Sequence, residues 1–197
     1  AEPVGSMVVD VGGGTTDIAV MSLGAIVVAE SLRIAGNTFD DNIIRYVKDK
    51  ENLLIGNRTA EEIKRTVGAA RIDTPGDIMH IDVRGRDLIN GMPKTISVST
   101  KDVVAALSDS LAKVGDGLRQ VLEQSPPELV SDVIERGIVL NGGGALLRNL
   151  DSFLSDIADI PVAVAENPTD CVVIGTSKAL DMVHVLSDGL VTSGGRR

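Results

Sequence analysis

Two short runs carry residues that could do chemistry on a phosphorylated ligand. The first is Val9-Asp10-Val11-Gly12-Gly13-Gly14-Thr15-Thr16-Asp17-Ile18. Three glycines follow an apolar run, with an acid before them and two hydroxyls after. Such a turn lacks Cβ atoms and can reach positive φ, so its backbone N–H groups can converge on an anion. The hydroxyls of Thr15 and Thr16 would add donors for phosphate oxygens. The carboxylate of Asp10 would hold a hydrated Mg²⁺, a cation that takes oxygen ligands and keeps most of its waters. The second run is Arg136-Gly137-Ile138-Val139-Leu140-Asn141-Gly142-Gly143-Gly144-Ala145-Leu146-Leu147-Arg148. Here an apolar strand feeds a glycine turn and a helix, which would turn free N–H groups and the helix dipole toward a ligand.

Each run alone has a plainer reading as a glycine turn between core elements. Neither is a P-loop, since no Gly-Lys-Ser/Thr follows. The second is a poor dinucleotide fingerprint, with Leu147 where the third glycine belongs. Two phosphate-competent turns in one short chain, each following an apolar strand, favour nucleotide binding.

The elements that position these turns follow from hydrophobic periodicity. Strands are predicted at residues 7–11, 16–20 and 25–34, forming an antiparallel meander. Gly36 marks the junction with a helix at 38–48, whose apolar face is Phe39, Ile43, Ile44 and Val47. Thr59-Ala60-Glu61-Glu62 reads as a capping box opening a helix to about Gly68, with Glu61 and Lys64 on one face. Strand-like runs flank Asn90-Gly91, a hairpin turn signal; the hairpin's charges suit either solvent or a neighbouring subunit. Ser99 opens a long helix to about Gln124, with Val103, Leu107, Leu111, Val114, Leu118 and Val121 in register. Gly115 and Gly117 within it suggest the close approach of another backbone. Pro126-Pro127 starts a further helix. A helix near 149–158, a strand at 162–165 and a helix at about 169–186 complete the order, and 187–197 reads as a frayed tail. His80, Cys171 and His184 have no partner motif and read as ordinary polar or packing residues.

Composition narrows the function classes. The 197 residues are 43% apolar, enough for a sizeable core. A net charge of −9 argues against nucleic acid or an anionic membrane surface as the main partner, and 2% aromatics argue against base stacking. One cysteine fits a reducing cytosol, and no apolar run approaches the ~18–20 residues of a spanning helix.

With these residues in view, the first run resembles the second phosphate loop of the actin, Hsp70 and sugar-kinase ATPase superfamily, and most of all the MreB family of bacterial actins. The runs around Arg84-Gly85-Arg86-Asp87, Pro93-Lys94 and 165–180 are similar to that family as well. The chain departs from it at Ala35-Gly36-Asn37, usually Gly-Gly-Asp, and at Asn141, usually Thr.

The resemblance implies an α/β fold: an actin-like ATPase lobe with a ribonuclease H-like larger subdomain (1–50 and 100–186) and an inserted smaller α+β subdomain (51–99). It implies ATP/ADP and Mg²⁺ as ligands. Gly12, Gly13, Gly14, Thr15 and Thr16 would take phosphates, and Asp10 would serve the metal and the catalytic step. Gly36 would let the backbone approach the nucleotide. Glu61 and Lys64, and more weakly Arg65, would lie by the ribose and adenine. Gly142, Gly143 and Gly144 would lie flat against the base and α-phosphate.

It further implies self-association into filaments that organise cell-wall synthesis. Membrane-bound cell-elongation proteins would be partners, with no nucleic acid and no direct membrane contact from this lobe. The protein would lie in the cytoplasm, held at the inner membrane face through the full-length filament. The resemblance covers only the second half of such a chain, so half of a cleft is expected, binding weakly and hydrolysing negligibly alone. The alternatives are a non-catalytic partner-binding or filament-capping module, and an Hsp70 or sugar-kinase type of lobe.

Overall fold

Alternating apolar residues give the two central strands β1 (Ser6–Val11) and β2 (Thr16–Ser22) one buried face. In a computed structural model, which describes residues 4–181, the chain opens with β1 (Ser6–Val11), β2 (Thr16–Ser22) and β3 (Ala25–Leu32) as the expected meander. Then follow α1 (Gly36–Glu51), β4 (Leu53–Leu54), α2 (Asn57–Val67), β5 (His80–Asp87) and β6 (Pro93–Ser99). The remainder is α3 (Thr100–Gln124), α4 (Pro127–Arg136), β7 (Ile138–Asn141), α5 (Leu150–Ala158), β8 (Val162–Val164) and α6 (Cys171–Asp181). The five-stranded sheet has the order β3-β2-β1-β7-β8, with β7 parallel to β1 and β8 parallel to β7. The second sheet, β4-β5-β6, is antiparallel.

The core runs continuously through both sheets. Met7, Val9 and Val11 of β1 join Ile18, Val20, Ile138 and Leu140, and α3 supplies its Val103, Leu107, Leu111, Val114, Leu118 and Val121 face as expected. Against the smaller sheet, α2 buries Ala60, Ile63 and Val67 near Val83. Ser99 caps α3 reciprocally with Asp102: the Ser99 amide and hydroxyl both donate to Asp102 Oδ2, at 2.9 and 2.6 Å. Pro127 is the first residue of α4, where its missing N–H costs nothing.

Several expectations need correction. The Thr59–Glu62 capping box does not form: α2 begins at Asn57 after Gly56, so Thr59 already lies inside its first turn. A capping box is found instead at Thr74 and Asp77, on the 3-10 turn Pro75–Asp77. Gly115 and Gly117 do not face a backbone: a Cβ there would overlap the side chains of Ile157 and Leu32. The helix after the second glycine turn does not start at the turn. Gly143–Leu146 is a 3-10 turn, and α5 begins only at Leu150, so no long-helix dipole points from there into the turn. On α6, Val172, Val173, Ile174 and Leu180 are exposed, and the partly exposed Cys171 thiol donates to the Asn167 carbonyl. His184 and the tail expected at 187–197 lie outside the described residues. No helix among the described residues is long and apolar enough to cross a membrane.

Candidate functional site

The parallel pairing of β1 with β7 places Asp10 beside Asn141 at the carboxyl ends of the two strands. Open α/β sheets bind ligands in the crevice outside the carboxyl ends of their strands. Both glycine turns leave the sheet there: Gly12 to Thr15 connect β1 to β2, and Gly142 follows β7.

The first turn is braced by α1. The amides of Gly36 and Asn37 donate to the carbonyls of Gly12 and Gly13, at 3.1 and 2.8 Å, and Gly12 N–H donates to Thr15 O at 2.9 Å. Those bonds draw the turn's carbonyls toward α1. The amides of Gly13, Gly14 and Thr15 donate to no backbone carbonyl among the described residues. Contrary to expectation, none of Gly12, Gly13 and Gly14 has a positive φ. A Cβ on Gly14 would meet nothing within 4 Å, and one on Gly13 would make ordinary contact, 3.8 Å from Asn37 Oδ1. Neither packing nor left-handed backbone requires glycine at these two positions; a ligand approaching from outside would.

The second turn divides differently. Gly142 has φ +83° and its amide donates to Pro168 O at 2.8 Å, while a Cβ on it would overlap the Val11 carbonyl and Asp10 Oδ1. Gly144 is pressed against the side chain of Val11. These two glycines let the turn lie on the end of β1. Gly143 is exposed, with nothing within 4 Å of a Cβ and no positive φ. Of the three expected to touch base and α-phosphate, Gly143 is the one whose open face is turned outward.

Asp10 faces Asp17 across the hairpin. Burial, and then the Asp17 charge, raise its pKa above the ordinary 3.8, with a hydrogen bond from the Asn141 side chain opposing them. The Asn141 Oδ1 atom is buried without a partner. Two like-charged carboxylates and an orphaned amide oxygen form an oxygen-only donor set suited to a hard, hydrated cation. No group of three or more acidic, His or Cys side chains that could hold a metal occurs among the described residues. A Mg²⁺ ion would therefore keep most of its waters.

Thr16 does not serve as expected. It is fully buried and its hydroxyl donates to Ile34 O at 2.6 Å, because Thr16 shares the inward face of β2 with Ile18 and Val20. Thr15 is exposed and its hydroxyl donates to Asp17 Oδ2 at 2.9 Å. Gly36 sits against the first turn: a Cβ there would lie 3.3 Å from Gly12 O and 3.6 Å from Lys64 Nζ. Lys64 bridges α2 to that junction, donating to Gly36 O at 2.9 Å and pairing with Asp40 Oδ1 at 2.8 Å. Burial raises the Asp40 pKa in spite of that lysine. Glu61 and Arg65 are exposed on α2. Asp17, paired with Asp10, and Asn37, whose amide donates to Gly13 O, also adjoin the site. Antiparallel pairing across a four-residue turn already places Asp17 opposite Asp10.

None of the site residues lines the groove of about 540 Å³ between α1 and α3, which includes Asn42, Tyr46, Ser110 and Lys113. At the carboxyl ends of β1 and β7 the two turns meet, and Lys64 of α2 reaches the first of them through Gly36.

Comparison with known proteins agrees with this architecture. The MreB/Mbl protein family matches residues 1–188. The chain is 51% identical to the cell shape-determining protein Mbl of Bacillus subtilis, over 94% of this chain and 55% of that one. It is 49% identical to the cell shape-determining protein MreB of Escherichia coli, over 94% and 53%. The chain thus spans about half the length of these relatives. Among solved structures, MreB5 of Spiroplasma citri bound to ADP superimposes with a TM-score of 0.88 at 37% identity, covering 92% of this chain and 55% of that one. The MamK double helical filament, at 24% identity, shares the fold, with a TM-score of 0.67 over 83% of this chain and 50% of that one. Its α/β architecture is that of the actin-like proteins, and the chain belongs to the MreB/Mbl family of cell shape-determining proteins.

Proposed function

We propose that this chain is the second nucleotide-binding lobe of an MreB-like bacterial actin, a larger subdomain (1–50 and 100–186) with a smaller one (51–99) inserted in it. The single observation behind this reading is that Gly13, Gly14 and Gly143 are glycines in ordinary φ whose Cβ positions are unobstructed, open at Gly14 and Gly143 and in ordinary contact at Gly13. The fold has no use for glycine there, whereas a phosphate or a base lying against the backbone does. The ADP held by the MreB5 relative supports the same ligand class.

In this reading the free amides of Gly13, Gly14 and Thr15 bind phosphate oxygens, Gly12 and Gly36 shape the turn, and Thr16 anchors it from beneath. Asp10, with Asp17 and Asn141 beside it, would hold Mg²⁺ through water; the ion would neutralise phosphate charge. Gly143, flanked by Gly142 and Gly144, meets the adenosine, and Glu61 and Lys64 lie toward the ribose. Hydrolysis belongs to the full-length protein and is negligible in this lobe alone, since phosphoryl transfer needs charge stabilisation around the whole γ-phosphate. ATP-dependent filaments of the full-length protein, organising cell-wall synthesis with membrane-bound elongation proteins at the cytoplasmic membrane face, complete the proposal.

ATP-dependent sedimentation of the full-length protein tests it. Gly13→Val should abolish ATP-dependent pelleting in a folded variant. Pelleting by the variant equal to the parent would contradict the assignment.

A further inference from the structure

We infer that Arg148 is a positioning residue: it clasps α2 to the segment that follows the second glycine turn, and so fixes the aperture between the two. Its bearing on adenosine rests on the nucleotide reading above; the clasp itself does not.

One guanidinium meets four acceptors from three segments. Nε donates to Gly68 O at 2.9 Å, and one terminal nitrogen donates to Val67 O at 3.1 Å. These are carbonyls at the end of α2, where a helix has no N–H donors of its own to satisfy them and where positive charge is favoured. The same nitrogen donates to Thr100 Oγ1 at 3.1 Å, and the other reaches Asp77 O at 3.3 Å. Thr100 is itself fully buried, and its hydroxyl accepts from Met79 N at 3.0 Å. The main chain closes the clasp, with Ala70 N donating to Arg148 O at 2.8 Å across an isolated parallel bridge between Ala69 and Arg148. The 3-10 turn Gly143–Leu146 precedes it in the chain, separated only by Leu147. The turn that would receive adenosine and the helix that carries Glu61 and Lys64 are therefore joined through one planar cation.

The consequence is mechanical. From Gly68 back to Glu61 is about 10 Å of helix, so a 10° swing about the clasped end moves Glu61 by about 2 Å. Displacements of that size are large against the tolerance of a positioned contact. A lysine cannot replace the arginine here, because its ammonium is a point donor without the rigid fork that spans several carbonyls.

The experiment places nitroxide labels at Glu62→Cys and Leu146→Cys, both exposed positions, in a Cys171→Ser background, and reads their distance distribution by pulsed dipolar spectroscopy. The parent should give one narrow distribution, and Arg148→Lys should broaden it about twofold or more while cooperative unfolding is retained. Equal widths would overturn the clasp. If Arg148→Lys does not fold, Thr100→Ala removes one acceptor and should broaden the distribution less. ADP and tripolyphosphate titrations then separate positioning from general damage. Arg148→Lys should lose about tenfold in ADP affinity and keep tripolyphosphate within about twofold; an equal loss of both, or of neither, would overturn the positioning role. A parent that binds neither ligand contradicts the nucleotide reading only, and the label distances decide the clasp.

Discussion

Gly142 lies on Asp10: a Cβ on this glycine would occupy the space of Asp10 Oδ1 and of the Val11 carbonyl. The two glycine turns, 130 positions apart by number, thus meet at the end of β1. The second turn is shaped around the acid that precedes the first. One ligand could touch both.

That contact separates neighbouring glycines into different tasks. Gly142→Ala puts a Cβ into occupied space at φ +83°, and should destabilise the chain by about 1–3 kcal/mol. Gly143→Val meets open space at an ordinary φ, so stability should change by no more than about 0.5 kcal/mol. ADP affinity should nevertheless fall about tenfold or more. Thermal melts paired with ADP titration check both; a folded Gly143→Val with parental affinity would make the second turn structural only.

Asp10→Asn keeps the shape and removes the charge. Simple truncation to Ala would instead leave the buried Asn141 side chain without its carboxylate partner, at about 1–3 kcal/mol. In the full-length protein Asp10→Asn should abolish Mg²⁺-dependent ATP hydrolysis. The melting temperature should hold or rise, because the facing Asp17 charge is relieved. Parental ATPase rates in the variant would remove Asp10 from the metal site.

Asp102 predicts an acid limb of stability. Burial pushes its pKa up, but hydrogen bonds from Lys50 and from the Ser99 hydroxyl and amide bring it down from 3.8 to about 2. A carboxylate with a depressed folded pKa contributes above its unfolded value and loses that contribution as pH falls, here from about 4 to about 2. Full linkage would be about 2.5 kcal/mol. Lys50 is half exposed, so screening reduces the expectation to about 1 kcal/mol. Denaturant midpoints of the parent and Asp102→Ala should differ at pH 7 and converge near pH 2. A pH-independent difference would assign the effect to capping geometry alone.

Much of the fold was legible because the determinants are local. The β1–β2–β3 meander follows from alternation, α3 from Ser99 and Asp102, and α4 from Pro127. Thr59 misled because Thr-x-x-Glu is equally an i,i+3 pair inside a helix that starts earlier. β4 has two residues and carries no periodicity at all. The inward direction of Thr16 was readable in principle from its phase with Ile18 and Val20, but the motif drew attention to its hydroxyl instead. What each glycine does was not readable. Whether a Cβ meets Val11, Asn37 or nothing depends on neighbours brought in by the fold.

Amide chemical-shift titration of this 197-residue chain with MgADP shows whether one nucleotide lies on both turns. A complete actin-like site would bind at roughly micromolar, about −8 kcal/mol. Without an opposing phosphate loop, about 3–5 kcal/mol is lost, on the order of two or three charge-assisted hydrogen bonds. The expected dissociation constant is from roughly a tenth of a millimolar to several millimolar, with the amides of Gly13, Gly14 and Gly143 shifting together along one binding curve. Unmoved amides at these three glycines in about 20 mM MgADP, several times the weakest predicted dissociation constant, would contradict it.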